Sequence, residues 1–173
     1  MATRSFGRPV GLRREMEEVV ASHTARAAEK IRRQGLATAS LIVFAHTNRH
    51  RPDQAQYGAK RLVQLTVATA DTGRLTKAAM FGLDCIWRDG FLYKKAGVIF
   101  PTLIKAGAVQ GSLFLHPDDP RSKSLMASID VLNRCYGRGT VACGTATGAK
   151  GGTLRAEHLS ARYTTRWGGL LAV

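Results

Sequence analysis

The sequence predicts an α+β fold: a four-stranded antiparallel sheet with two helices on one face, followed by a small C-terminal α/β extension. Three observations carry this. Two segments place apolar residues at three- and four-residue steps, as a one-sided helix requires. Three others are extended and rich in β-branched or apolar residues, and a short strand at the start is added to them. The two kinds follow one another in the order β-α-β-β-α-β, the split-βαβ arrangement, before a breaker cluster and a glycine-rich run change the composition after Phe114.

A short strand at Thr3 to Arg8 opens the order. From Arg13 to Gln34, Met16, Val19, Val20, His23, Ala27 and Ile31 form one stripe, which predicts an amphipathic helix ended by Gly35. Thr38 to Thr47 and Arg61 to Thr69 read as strands, joined by the polar, basic stretch Asn48 to Ala59 with Pro52, Asp53 and Gly58. Asp71 then stands at an N-cap position before Leu75, Ala78, Ala79, Leu83, Ile86 and Trp87, a second helix closed by Asp89-Gly90. Tyr93 to Lys105 is extended and apolar, with Pro101 confined to a strand end or sheet edge because it lacks an N–H. After His116-Pro117-Asp118-Asp119-Pro120, residues Leu125, Met126, Ile129 and Leu132 are in phase for a helix over Ser122 to Cys135.

The 173 residues hold 26 Lys plus Arg against 12 Asp plus Glu, a formal net charge of +14. Arginines number 18 and lysines 8, and the guanidinium fork matches phosphate bidentately, so the surplus points to a polyanion, with nucleic acid foremost. Residues 1 to 115 carry +10 of it and residues 116 to 173 carry +4. Hydrophobic residues at 45% suffice for a core and exclude a disordered chain. Cys85, Cys135 and Cys143 lack C-x-x-C spacing, which excludes a zinc ribbon and fits a reduced, cytoplasmic compartment; Cys85 is expected to be a small buried hydrophobe. The longest apolar run, Leu41 to Ala45, is far below the roughly 18 residues of a membrane span, so no membrane partner is expected.

Candidate chemistry is sparse. The glycine-rich residues 137 to 152 invite an alternative reading as a small enzyme or nucleotide-binding protein, but Gly144 and Gly148 enclose three residues where a phosphate loop needs four, and Gly151 follows Lys150 where Ser or Thr is needed. The five histidines do not converge on a metal spacing, and His23 falls on the first helix's apolar stripe as a packed core residue. Glu17-Glu18 and Asp118-Asp119 lie near helix N-termini, where negative charge offsets the dipole. Single-stranded RNA binding would need stacking aromatics on central strands, and only Phe44 is available. Two clusters remain: Arg4-Ser5-Phe6-Gly7-Arg8 and Tyr93-Lys94-Lys95-Ala96-Gly97, on the first and last strands of one sheet, where cations beside glycine and small residues permit close approach to phosphates. Gln110, followed by Leu113 and Phe114, could form a short peptide whose apolar pair fills a partner's pocket, or a terminal strand packed on the core.

RSFG (Arg4 to Gly7), ARAAEKIR (Ala25 to Arg32), DCIWRDG (Asp84 to Gly90), YKKAGV (Tyr93 to Val98), QGSLF (Gln110 to Phe114) and LSARYTTRW (Leu159 to Trp167) occur in an order that resembles the C-terminal part of the UmuC-like Y-family translesion DNA polymerases. The resemblance covers essentially the whole chain. It implies a little finger domain over residues 1–107 that grips primer-template DNA by its backbone, with Arg4, Ser5, Gly7, Arg8, Lys94 and Lys95 as contacts. It implies a clamp-binding motif and linker over 108–116, with Gln110, Leu113 and Phe114 docking on the β sliding clamp. Gly111 stands where the family commonly has a bulky aliphatic, which points to weaker clamp affinity. It implies a UmuC-type extension over 117–173 serving the UmuD′ dimer and RecA. The family's palm, fingers and thumb would precede residue 1, so no catalytic residue, metal or cofactor is expected in this chain; the parent would use magnesium and dNTPs through those regions. Translesion synthesis in the SOS response, in the bacterial cytoplasm at the nucleoid, is the implied setting.

Overall fold

The computed structural model describes residues 1–111, 117–137 and 139–142. Its elements are β1 (Ala2–Val10), α1 (Arg13–Arg33), β2 (Leu36–Thr47), β3 (Gly58–Thr69), α2 (Thr72–Ile86), β4 (Tyr93–Ile99), β5 (Leu103–Lys105) and α3 (Pro120–Cys135). The strands form one antiparallel sheet in the order β1-β4-β2-β3, with β5 added beside the start of β2. The α+β class, the βαββαβ order and the pairing of first and last long strands agree with the expectation.

The sheet is one-sided because its sequence alternates. Leu41, Val43 and Ala45 of β2, Ala96 and Val98 of β4, and Phe6 of β1 are almost fully buried and join one core with Met16, Val20, Ala28 and Ile31 of α1 and Leu75, Ala79, Leu83 and Ile86 of α2. Each Leu, Ile, Val, Phe or Met side chain so removed from water contributes on the order of 1.5–3 kcal/mol. Gly82 allows α2 to lie flat on the strands: a Cβ there would stand 2.9 Å from Val43 and 3.0 Å from Val63. Gly35, at φ +66°, ends α1 as the sequence predicts. Asp71 caps α2 by accepting from the Arg74 N–H at 2.8 Å.

Two expectations are corrected. Tyr93 to Lys105 is not one strand. β4 stops at Ile99, and the chain re-enters the sheet as β5 opposite Leu36–Thr38. Pro101 cannot donate to a ladder, and the buried Thr38 hydroxyl bonds the Thr102 carbonyl at 2.8 Å, fixing the break. Cys85 is exposed rather than buried. The inward positions of α2 are Leu75, Ala78, Ala79, Gly82, Leu83 and Ile86, and Cys85 follows Asp84 on the solvent side.

α3 is fastened by ion pairs. Arg32 of α1, 15% exposed, makes a bidentate bond to Asp130 of α3 (2.7 and 2.8 Å) and donates to the Ala70 carbonyl (2.7 Å) and the Thr72 hydroxyl (2.8 Å). Asp118 accepts from the Thr69 hydroxyl at 2.6 Å and the Ala70 N–H at 3.0 Å, while Asp119 caps α3. Glu17 and Glu18 pair with Arg13 and Arg14, so both carboxylate pairs singled out in the sequence have structural roles. His23 is a packed core residue, 5% exposed.

Candidate nucleic-acid interface

The face of the sheet turned away from the helices is assembled by register. One row runs Ser5, Lys95, His46 and Gly58 across β1, β4, β2 and β3; the next runs Thr3, Gly97, Phe44 and Lys60; a third joins Ile99, Ile42 and Leu62. Period-two alternation puts these residues on one side, opposite the core positions between them.

Charge is sorted between layers. The five strands carry seven Lys or Arg (Arg4, Arg8, Lys60, Arg61, Lys94, Lys95 and Lys105) and no Asp or Glu. The acidic residues of the first 111 positions lie on helices, at the α2 cap or in loops. Among the described residues no carboxylate forms a salt bridge with Lys95 or Lys60, whereas Arg8, Arg13, Arg14, Arg32 and Arg74 all have acidic partners. An acid-free, cation-bearing sheet face is suited to following a line of phosphates and offers nothing that reads bases.

His46 sits in the middle of this face. Its pKa is lowered, first by burial and then by the nearby charges of Arg49 and Lys95, so the imidazole is neutral at neutral pH. The buried Nδ1 has no hydrogen-bond partner among the described residues, and Gly58 makes room for the ring, since a Cβ there would stand 2.7 Å from Nδ1. Lys60, His46 and Arg49 were absent from the sequence-derived set. A charge count taken element by element would have revealed the acid-free strands.

The predicted residues fare differently. Ser5 is exposed opposite Lys95, and Arg4 pairs in register with Ala96. Gly7 and Arg8 are exposed on the part of β1 beyond its paired segment, and Arg8 is tied to Glu15 of α1. Lys94 is half-buried and donates from Nζ to the Phe6 carbonyl at 2.8 Å. Gly97 does not open a path to phosphate: a Cβ there would meet Thr3 at 2.6 Å, the Ala2 carbonyl at 2.8 Å and Phe44 at 2.9 Å, so protein already fills the space. Phe44, 7% exposed, covers that glycine and offers no stacking platform. Gln110 is exposed, while Leu113 and Phe114 lie outside the described residues, as does most of the 137 to 152 run. Among the described residues no group of His, Cys, Asp or Glu could hold a metal, and no helix is long and apolar enough to cross a membrane.

Residues 1–113 match the impB/mucB/samB family C-terminal domain, and residues 123–173 match a domain of unknown function, DUF4113. The chain is similar to the protein UmuC of Salmonella typhimurium, at 37% identity over 177 residues that cover 100% of this chain and 41% of that protein. It is similar to SamB of Salmonella typhimurium at 34% identity, covering 96% of this chain and 39% of SamB. It is also similar to MucB of Escherichia coli at 31% identity, with 96% and 39% covered. The chain thus spans about two fifths of the length of these curated relatives.

Proposed function

For a chain that belongs to the impB/mucB/samB family, as its first 113 residues show, we propose the DNA-gripping part of a UmuC-like Y-family translesion polymerase, without catalysis of its own. The open sheet face holds primer-template DNA by its phosphates. The observation that carries this reading is the charge sorting: seven cations and no acid on the strands, with Lys95 and Lys60 left without acidic partners among the described residues. A polymerase that passes damaged bases needs a grip indifferent to base identity, and phosphate contacts provide one. Ser5, Gly7, Lys95, Lys60 and Arg49 stand on or beside that face, and Arg4 and Arg8 lie on the same edge strand.

The exposed Gln110, with Leu113 and Phe114 after it, supplies a peptide for the β sliding clamp. The region after residue 116 serves the UmuD′ dimer and RecA in SOS damage repair at the cytoplasmic nucleoid. Two experiments separate these parts. Anisotropy titration of labelled primer-template DNA across salt concentrations tests the grip, and insensitivity to salt would sink it. Clamp pull-down with Leu113→Ala/Phe114→Ala tests docking: capture is lost while DNA binding persists, and undiminished capture refutes the motif.

A further inference from the structure

The adjacent lysines of β4 sit differently in the sheet. Lys95 is in regular register, opposite Ser5 on one side and His46 on the other. Lys94 is not: β2 and β4 pair His46 with Lys95 and then Thr47 with Tyr93, so Lys94 is the extra residue of a β-bulge. A bulge re-aims its side chain out of the alternation. Against β1 the mismatch is larger, because Ser5 pairs with Lys95 and the next pair is Val10 with Tyr93. Among the described residues, Phe6, Gly7, Arg8 and Pro9 therefore have no partner residue on β4, and β1 is the sheet edge, with no other strand beside them. The segment is anchored at its ends by the buried Phe6 and Val10 side chains, both 1% exposed, and between them only the exposed Arg8 side chain reaches out, to Glu15 of α1, which leaves the intervening backbone itself unheld among the described residues. Into this irregularity Lys94 sends its ammonium, bonded to the Phe6 carbonyl at 2.8 Å.

We infer that Lys94 is a positioning residue: it pins the unpaired β1 segment Phe6–Pro9 to the sheet, and Lys95 alone of the pair faces phosphate. The division of labour rests on the DNA-grip reading, but the pinning does not. It sets the place of the Gly7 and Arg8 backbone beside the open face, which a flexible edge would leave undefined.

The test uses the full chain carrying Lys94→Met, Lys94→Arg or Lys95→Met, with thermal melts to confirm folding. In the free protein, 15N relaxation should show the Gly7 and Arg8 order parameters falling from the rigid range of about 0.85 towards the flexible range below about 0.6 in K94M, but not in K94R or K95M. On primer-template DNA, K95M should flatten the log–log salt slope by about 0.9, one phosphate contact. K94M should weaken binding a few-fold at every salt concentration with the slope unchanged, and K94R should restore it. Unchanged order parameters in K94M overturn the pinning. A K94M slope flattened by about 0.9 makes Lys94 a phosphate contact and overturns the division. If wild type shows no salt-dependent binding, the DNA-grip reading fails, and the relaxation result still decides the pinning. Should K94M fail to fold, Lys94→Leu, which likewise has no donor for the Phe6 carbonyl, carries the same comparison.

Discussion

The open sheet face and the seam beneath α3 put cationic side chains to opposite ends. At the seam, Arg32 is 15% exposed and spends its fork on Asp130, Ala70 and Thr72, and Asp118 takes bonds from Thr69 and Ala70. On the sheet face, Lys95 and Lys60 have no acidic partner among the described residues. The lesson is that net charge says little about binding until it is sorted by partner. A cation with its carboxylate is part of the fold, and one without is available to a ligand.

Removing one partner at the seam should have the largest effect. Asp130→Ala leaves the largely buried Arg32 guanidinium with only the neutral Ala70 and Thr72 oxygens, so denaturant unfolding should show a loss on the order of 3 kcal/mol. The salt slope of DNA binding should stay as it was, because no face cation is touched. Gly97→Ala crosses the two regions. Its Cβ meets Thr3 and the Ala2 backbone, so stability should fall by roughly 1–3 kcal/mol and β1 should shift at the edge of the face. A melting temperature equal to wild type would show that β1 yields freely.

Lys60→Ala with Lys95→Ala should invert the Asp130 result. Stability should change by no more than about 0.5 kcal/mol, while the log–log salt slope flattens by about 1.8, two phosphate contacts. A large loss of stability from this pair would mean that these lysines hold the sheet together.

The smallest effect belongs to His46. Its folded pKa lies below the usual 6.5, so between the two values the unfolded chain binds more protons than the native one. This residue's contribution is therefore complete above about pH 6.5 and is lost as pH falls through 6.5 towards the depressed value. His46→Gln should remove that part of the acid sensitivity seen in urea unfolding at successive pH values; an unchanged pH profile would place the sensitivity elsewhere. Bound DNA, by countering Arg49 and Lys95, should raise the His46 pKa again and be visible in its imidazole NMR shifts.

Most elements were legible because local pattern and tertiary burial agree. The stripe Met16, Val19, Val20, His23, Ala27, Ile31 is the face that α1 buries, and Gly35 ends it with the positive φ only glycine takes easily. What the sequence hid depends on distant or subtle geometry. The Arg32–Asp130 bond joins residues 98 apart, and no local rule announces it. Lys94 and Lys95 are identical in chemistry and adjacent, and only a bulge, which lacks a sequence signature, assigns them different partners. Lys60 escapes a pattern reading because the alternation starts at Arg61, whereas β3 begins at Gly58. Cys85 was misplaced because Cys ranks among hydrophobes in composition, while its helical position faces water.

The proposed grip holds DNA by its phosphates on the open sheet face, through Lys60 and Lys95, which have no acidic partner among the described residues. It is tested most directly by measuring the salt slope of primer-template binding for the wild-type chain and for Lys60→Ala/Lys95→Ala side by side. A steep wild-type slope should flatten by about 1.8 in the variant, with the fold intact. A wild-type affinity indifferent to salt, or a slope the double substitution leaves unaltered, would contradict it.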